Sequence, residues 1–294
     1  MQISAKSLRQ IDLGALSGPV LVFGGCYSNL QATQAMQAVA EELGITPEQV
    51  ICTGDVVAYC ADPQPTIDLV RDWGITVVQG NCEQSLADGS ADCGCGFDPG
   101  SSCSLLSIAW YRYASEQVDQ SACRWMAQLP QQVCFSLAGR DFCVVHAGLS
   151  SNNRFLFSST DDAAFTEELQ GCDSDVVIGG HCGLPFGRSI SLHHPQQEQR
   201  LRYWLNSGVI GMPANDGTQQ GWYLLLQPDG DRILCQWHRL AYDAQGAAAR
   251  MLQVGLPEPY AQALIDGLWP SVDVLPSVER QQQGCRLVCP LLTL

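Results

Sequence analysis

The chain has 294 residues, a length that allows one large domain with a smaller appendage. Thirty acidic and 15 basic residues give a formal charge of -15, and a surface of that sign repels nucleic acid and anionic membranes. No segment approaches the roughly 20 apolar residues of a membrane span, and residues 1–16 lack the apolar stretch of a signal peptide. We therefore expect a cytoplasmic protein that binds a small metabolite, and neither nucleic acid nor membrane.

Fifteen cysteines are a high and odd number for this chain. Because no export signal is visible, we expect the thiols to stay reduced. Cysteines inside strand-like runs are expected to pack as small buried hydrophobes, and these are Cys52, Cys134, Cys143 and Cys235. Seven others lie in loops, where thiolates can bind metal, and these are Cys26, Cys60, Cys82, Cys93, Cys95, Cys103 and Cys182.

The first third of the chain alternates between strand-like and helix-like segments. Apolar, β-branched runs predict strands at residues 19–23, 50–53 and 75–79. Helices are predicted at residues 30–43, capped near Asn29, and at residues 65–73, which start with a proline. This βαβαβ order predicts a parallel sheet. The turn at residues 24–29 lacks the glycine spacing and the lysine of nucleotide-binding loops, which disfavours that class.

The remaining chain reads as an insertion, a strand-rich region and a tail. Residues 84–106 are small, acidic and sulfur-rich, and we expect them to fold as a loop over the functional site. Strand signals continue from residue 132 to a hairpin at residues 222–226 and 232–238, which predicts a second, more antiparallel sheet. Residues 241–294 are predicted to form a C-terminal appendage, helical at first and then irregular. His193 and His194 are predicted to lie in an exposed loop.

Four polar residues each follow a short apolar run, and they are Asp55, Asn81, His146 and His181. In open α/β sheets, ligands bind beyond the carboxyl ends of the strands. Carboxylate, amide oxygen and imidazole form a ligand set that suits zinc, iron or manganese rather than calcium. The pattern predicts that the four residues form one metal site, and the alternative is that they are chance polar residues at strand ends.

Five short motifs occur in the order found in the calcineurin-like metallophosphoesterase superfamily, and the chain resembles that family over residues 18–240. The matching residues are Gly54-Asp55, Gly80-Asn81, Val145-His146, Gly180-His181 and Asn206-Ser207-Gly208. Residues 54–59 and Asp62-Pro63 further resemble its bacterial phosphodiesterase-like branch. The resemblance implies two stacked mixed β-sheets flanked by helices, an αββα sandwich within residues 1–240. It also implies metal ions that activate water against a small phosphorylated metabolite.

The chain departs from the family pattern at three positions. The aspartate and histidine of the first motif are replaced by Gly25 and Tyr27, and the second histidine of the last motif by Gly183. By family roles all three positions serve one metal, whereas the other metal keeps Asp55, Asn81, His146 and His181. The resemblance therefore implies at least a mononuclear site with room for water, and a slower or differently specialised hydrolase.

Sulfur or phenolate ligands are an alternative means of rebuilding the lost site, in which case one or two ions would bind. The candidates in the motif loops are Cys26, Tyr27, Cys60, Cys82 and Cys182. Soft sulfur ligands would favour zinc, ferrous iron or an iron–sulfur cluster. A separate structural metal is a further hypothesis for Cys93, Cys95 and Cys103. The opposing interpretation is that these cysteines only fill small volumes.

Three more residues are candidates for the reaction itself. Cys82 stands where the family has a histidine that can protonate the leaving group or hold the phosphate, but a thiol with a pKa of ~8.5 is a poorer donor than imidazolium. We rank its catalytic role below metal binding. Arg154 and Arg188 follow the two histidine motifs and are predicted to bind phosphate, although surface arginines are commoner.

The leading functional hypothesis is a metallophosphoesterase that acts on a small phosphate mono- or diester. In it, Asp55 orients the attacking water and Asn81, a neutral ligand, keeps the charge of the metal high. Two alternatives remain open on the same scaffold: a non-catalytic protein that binds a metal or a phosphorylated metabolite, and an iron or thiolate redox protein. The sequence fixes neither the substrate nor the oligomeric state.

Overall fold

The computed structural model describes residues 8–192 and 200–294, so the prediction for His193 and His194 falls outside the described residues. The strands are β1 Gln10–Ala15, β2 Val20–Phe23, β3 Val50–Cys52, β4 Thr76–Val77, β5 Gln132–Leu137, β6 Arg140–Val145, β7 Val176–Gly179, β8 Phe186–Leu192, β9 Arg200–Asn206, β10 Gly221–Asp229, β11 Arg232–Leu240 and β12 Leu292–Thr293. The helices are α1 Leu30–Glu42, α2 Pro63–Trp73, α3 Asn81–Asp88, α4 Ser102–Gln117, α5 Gln120–Gln128, α6 Asp162–Leu169, α7 Ala244–Gln253, α8 Glu258–Asp266 and α9 Ser277–Gln281.

The strands form two mixed sheets. One has the order β12-β11-β10-β2-β3-β4, and the other has the order β1-β5-β6-β7-β9-β8. Strands β2, β3 and β4 pair in parallel, as the βαβαβ pattern predicts. Helices flank the sheets, so the predicted fold class is confirmed.

The hairpin of β10 and β11 was expected in the second sheet, and that expectation is wrong. Strand β10 pairs antiparallel with β2, which places the hairpin in the first sheet. Residues 221–226 of β10 are all buried, so the strand needs a neighbour on both sides and a cover on both faces. The apolar pattern shows that β10 is buried, but it does not show which strand it pairs with.

Alternate residues of β2 enter two different cores. Val20 and Val22 lie in a cluster between the sheets, with Val144 of β6. Leu21 and Phe23 point to the other face, where Met36 of α1 and further helical residues cover them. The first sheet is therefore buried on both faces, which is typical of a parallel sheet covered by helices.

The C-terminal segment, residues 241–294, is packed into the rest of the protein. Met251 of α7 and Leu264 of α8 lie in the helix-side core. Strand β12 extends the first sheet, where Leu292 pairs with Cys235 of β11. The segment also supplies Trp269, whose indole Nε1 donates to the Pro213 carbonyl at 2.7 Å. In the described part of the chain, no helix is both long enough and apolar enough to cross a bilayer.

A buried ion pair fastens this segment. Arg239 of β11 donates to Asp216 Oδ2 at 2.6 Å and to the Leu287 carbonyl at 2.7 Å. The Leu287 amide donates to the same Asp216 oxygen at 2.9 Å. The Asp216 side chain is 2% exposed, so its charge depends on these partners rather than on water.

We predict that Arg239→Ala lowers the free energy of unfolding by about 3 to 5 kcal/mol, because it leaves the Asp216 carboxylate buried without a cation. Arg232→Ala is the matched control, since Arg232 and Asp229 form an exposed pair that we expect to contribute less than about 1 kcal/mol. Urea denaturation of both variants measures the difference. Equal losses would show that the Asp216 pair does not anchor the C-terminal segment.

Candidate metal centre

Two glycines allow the loops after β3 and β4 to touch. A Cβ atom added to Gly54 would lie 2.7 Å from the Gly80 nitrogen and 2.8 Å from the Val78 oxygen. A Cβ atom on Gly80 would lie 2.3 Å from Asp55 Oδ1. Both positions therefore exclude a side chain, and this close packing brings Asp55 beside Asn81. Asp55 itself has a φ of 54°, a left-handed conformation that few non-glycine residues adopt.

The four predicted ligands come together at the carboxyl ends of β3, β4, β6 and β7. His146 Nε2 lies 2.9 Å from Asn81 Oδ1 and 2.9 Å from His181 Nδ1. The Asp55 Oδ2 atom lies 3.5 Å from the same nitrogen. All four side chains are buried. Ligand atoms of Asp55, His146 and His181 lie within 4.8 Å of one another.

Hydrogen bonds around His146 and Asn81 fix which atoms face the centre. His146 Nδ1 lies 2.8 Å from the Thr53 carbonyl, which can only accept, so the ring proton is on Nδ1 and Nε2 carries a lone pair. Asn81 Nδ2 donates to the Cys93 carbonyl at 2.8 Å, which turns Oδ1 toward His146. Two acceptor atoms thus face each other at 2.9 Å with no proton between them.

This arrangement fits a divalent cation, because a positive charge between the lone pairs would turn their repulsion into attraction. Burial lowers the pKa of His146. Burial, together with the neighbouring His146, lowers the pKa of His181 well below its ordinary value. Both imidazoles are therefore neutral near pH 7, the form that binds metal.

Glu83 is an important residue of the centre that our sequence analysis missed. Its Oε2 accepts hydrogen bonds from the Asp55 amide at 2.8 Å and the Gly80 amide at 3.0 Å. Its Oε1 accepts from the Val57 amide at 3.2 Å. Glu83 is the third residue of α3, a position from which glutamate often reaches back to the helix cap, and this spacing was the available signal.

The two carboxyl groups of the centre lie close together in a buried site. Burial raises the pKa of Asp55 to about 7. Burial and the neighbouring Asp55 raise the pKa of Glu83 to about 7 as well. Without a cation, the site therefore holds its protons up to neutral pH, whereas a divalent ion would favour the charged carboxylates.

Aromatic rings fill the space beside the three positions where the family's other metal ligands are absent. A Cβ atom on Gly25 would lie 2.6 Å from Tyr27 Cζ and 2.6 Å from Val209 Cγ1, so Tyr27 occupies the space of a side chain there. A Cβ atom on Gly183 would lie 3.5 Å from Cζ2 of Trp269, so a longer side chain would meet the indole. A packed apolar contact has thus taken the place of these ligands.

Three of the four motif-loop thiols, those of Cys26, Cys60 and Cys182, make hydrogen bonds outside the group of convergent ligand atoms. Cys60 lies 3.8 Å from the Gly211 carbonyl, and Cys182 lies 3.7 Å from the Leu184 carbonyl. The Cys52 thiol pairs with that of Cys26. Among the described residues, only one group of three or more histidine, cysteine, aspartate or glutamate side chains has converging ligand atoms. That group is Asp55, His146 and His181, and it contains no cysteine.

Cys82 and Tyr27 lie next to Asp55. Cys82 donates its backbone amide to Asp55 Oδ1 at 3.2 Å, and its thiol hydrogen-bonds the same carboxyl group. Burial, followed by the negative Asp55, raises the pKa of Cys82 well above its ordinary value. The same two causes raise the pKa of Tyr27. Both groups are therefore neutral near pH 7 without a metal, as a thiol and a phenol.

The Cys-rich insertion lies against the centre. Residues 84–88 belong to α3 and residues 102–106 to α4, with the loop between them. Cys93 and Cys95 are joined by a disulfide, which differs from the expectation of reduced thiols and leaves neither sulfur as a thiolate ligand. Cys95 Sγ lies 3.3 Å from Asn81 Nδ2, whereas Cys103 is the second residue of α4 and hydrogen-bonds Ser271. The structure therefore does not join the three cysteines in one cluster.

Neither predicted phosphate-binding arginine points to the centre. Arg154 donates to Glu168 at 2.7 Å and to Glu167 at 2.9 Å. Arg188 pairs with Asp162, and its guanidinium lies 4.7 Å from the centre of the Phe165 ring. Both side chains pack against α6 and form ion pairs with its carboxylates.

A pocket opens beside the centre, with Asp55 and His181 in its wall. Its remaining lining is mostly apolar and aromatic, and within residues 8–192 and 200–294 no lysine or arginine belongs to it. We call it the aromatic pocket, and its lining residues are Tyr27, Asp55, Tyr59, Cys95, Phe97, Cys103, Leu106, Phe155, His181, Cys182, Gly183, Val209, Met212, Tyr260, Trp269, Pro270, Ser271 and Val274.

Comparison with known proteins identifies the family. An uncharacterised protein of Methanocaldococcus jannaschii is 23% identical over 256 residues, which are 84% of this chain and 98% of that protein. The crystal structure of a metallophosphoesterase from Sphaerobacter thermophilus superposes with a TM-score of 0.65 at 21% identity, covering 86% of this chain and all of that one. A hypothetical protein from Pyrococcus horikoshii gives a TM-score of 0.68 at 15% identity, covering 85% and 99%.

The family model described as the calcineurin-like phosphoesterase superfamily domain matches residues 28–230. This match spans β3, β4, β6 and β7, whose carboxyl ends carry the four candidate ligands. More than half of the chain is matched, and the protein belongs to the calcineurin-like phosphoesterase superfamily.

Proposed function

We propose that this protein hydrolyses small phosphate mono- or diesters with one divalent transition-metal ion. Asp55, Asn81, His146 and His181 would hold the ion. The observation that carries the proposal is the approach of two acceptor atoms, His146 Nε2 and Asn81 Oδ1, to 2.9 Å. Membership of a phosphoesterase superfamily supports a hydrolase acting on phosphoester bonds.

The metal ion would supply Lewis acidity, which draws electron density from a phosphoryl oxygen and lowers the barrier to attack by water. The chain positions the ligands for this role. Thr53 keeps the ring proton of His146 on Nδ1, and Glu83 holds the backbone amides of Asp55 and Gly80. The buried walls of the centre limit the access of bulk water.

Tyr27 would hold the proton that the leaving group needs. Its ring lines the aromatic pocket together with Asp55. Burial raises the pKa of Tyr27, which keeps the proton on Oη but makes the phenol a weak acid that can serve only a strongly basic leaving oxygen. An alkoxide leaving group is strongly basic and gains most from a nearby donor. Cys82 is less suited to this role, since its thiol already hydrogen-bonds Asp55.

A second candidate function is metal-dependent binding of a phosphorylated molecule without hydrolysis. The lack of a lysine or arginine in the pocket favours it, because charge stabilisation would then depend on the metal alone. An assay for hydrolysis by the metal-loaded protein separates the two functions.

We predict that the metal-loaded protein contains one ion per chain and hydrolyses 4-nitrophenyl phosphate or bis(4-nitrophenyl) phosphate. His146→Ala should lose the ion and at least about 100-fold of the rate, because it removes a central ligand. His238→Ala is the control, since His238 lies on β11 outside the centre. Elemental analysis beside the two assays gives the result. Two ions per chain would contradict the mononuclear site, and bound metal without hydrolysis would favour the binding function.

We predict that the metal-free protein loses stability as the pH rises from 5 to 8. The folded-state pKa values of Asp55 and Glu83, about 7, lie above their ordinary values of 3.8 and 4.5. The fold therefore favours the protonated forms. Their contribution is fully present below about pH 4 and is lost as the pH rises through about 7.

The pH dependence is measured by thermal melting of metal-free protein. Asp55→Asn should flatten the decline, because the amide has no proton to lose. Asp68→Asn is the matched control, since it also neutralises one carboxyl group but at an exposed position. The same slope for both variants would show that the net charge of the chain, not the buried pair, sets the dependence.

We predict that Tyr27→Phe slows hydrolysis of an alkyl phosphate by about 100-fold or more and that of 4-nitrophenyl phosphate by less than about fivefold. The nitrophenolate leaving group needs no proton, whereas an alkoxide does. The ratio of the two kcat values measures the effect. An equal loss for both substrates would assign Tyr27 a positioning role only.

A further inference from the structure

The aromatic pocket is built from several separate parts of the chain. The loops after β2 and β3 supply Tyr27 and Tyr59. The Cys-rich loop and the loop after β6 supply Phe97 and Phe155, which stack with ring centres 6.1 Å apart. The C-terminal segment supplies Trp269, along with residues of α8 and the chain that follows it. Aromatic side chains therefore line the pocket on several sides.

Contacts between lining residues, and between Trp269 and residues outside the pocket, hold these walls in place. The ring of Tyr59 packs edge-on against Tyr27 with centres 4.8 Å apart, and against Tyr260 at 5.0 Å. The Trp269 backbone amide donates to Asn215 Oδ1 at 2.7 Å, and its indole donates to Pro213. A ligand would thus enter a preformed site and would not have to order it.

The pocket joins the metal centre directly. Phe155 lies 4.3 Å from the ring of His181, one of the candidate ligands, measured between centres. A phosphate at the centre would place the rest of its ester beside Phe155 and Tyr27.

The charge of the lining restricts what this part of the ester can be. Among the described residues that line the pocket, Asp55 is the only carboxylate, and none is a lysine or arginine that could pair with a second phosphate. A polyphosphate chain would find no counter-charge beyond the metal, and a strongly polar group would lose its hydration without replacement. An uncharged planar ring can instead stack on the aromatic walls.

We infer that the aromatic pocket binds the uncharged aromatic part of a phosphate ester whose single phosphate lies at the metal centre. The inference rests on the proposed function for the phosphate and on the pocket walls for the ring. It assigns the protein to substrates with an aryl group or a similar flat apolar group, rather than to nucleoside polyphosphates.

Phenylphosphonate and methylphosphonate test this inference, because they share a non-hydrolysable head group and differ in the ring. We expect the Mn²⁺-loaded protein to bind phenylphosphonate at least about tenfold more tightly in calorimetry, from burial of the ring. Leu106→Ala removes a pocket wall and should weaken phenylphosphonate binding about threefold, with methylphosphonate changed less than about twofold. Leu105→Ala is the matched control, since the neighbouring Leu105 is 61% exposed and outside the pocket.

Equal affinity for the two phosphonates would overturn the inference, as would equal effects of the two leucine variants. Hydrolysis of 4-nitrophenyl phosphate is measured separately on the same preparation. Hydrolysis without a preference for the ring would overturn the pocket assignment and leave the proposed function standing. A tenfold ring preference without hydrolysis would support the pocket as a ligand site and remove the catalytic function.

Discussion

The carboxylate of Glu83 connects the parts of the metal centre. It receives three backbone amides, from Asp55, Val57 and Gly80, and so ties the loop after β3 to the start of α3. The contact is possible because Gly54 and Gly80 lack side chains where the loops cross. A buried carboxyl group that accepts hydrogen bonds from backbone amides of three residues fixes the path of the backbone rather than the position of a single side chain. The positions of Asp55 and Asn81 follow from it.

The centre combines a retained half and a replaced half. On one side, four candidate ligands converge, with the tautomer of His146 set by Thr53. On the other, Tyr27 and Trp269 pack against Gly25 and Gly183, which stand where the resemblance to the family implies metal ligands. This second region is therefore filled by aromatic contacts and is not a polar void.

Sequence patterns predicted the parts of the fold that depend on local order. Parallel pairing of β2, β3 and β4 follows from their alternation with helices, and the placement of the four ligands follows from the ends of their strands. Which strand β10 pairs with was harder to predict, because its run of apolar residues shows that the strand is buried but does not identify the neighbouring strand. Strand β1 was not predicted because its apolar alternation, at Ile11, Leu13 and Ala15, is short and ends in small residues, and the strand is mostly exposed.

The least predictable part was the environment of the centre. Trp269 and Tyr260 reach the pocket from the C-terminal segment, a long-range contact that no local spacing encodes. The arginines were assigned by their position after the histidine motifs, but α6 offers them carboxylates nearby. Whether an arginine binds a phosphate or a nearby carboxylate depends on the folded arrangement and not on the motif.

The packing of Tyr27 over Gly25 constrains the evolutionary paths open to this chain. An aspartate introduced at position 25 would collide with the tyrosine ring, since even its Cβ atom would lie 2.6 Å from Tyr27 Cζ. The ring of Tyr27 would have to move aside, or residue 27 would have to change together with residue 25. Substitutions at these two positions are therefore coupled, and the effect of a side chain at position 25 depends on what stands at position 27.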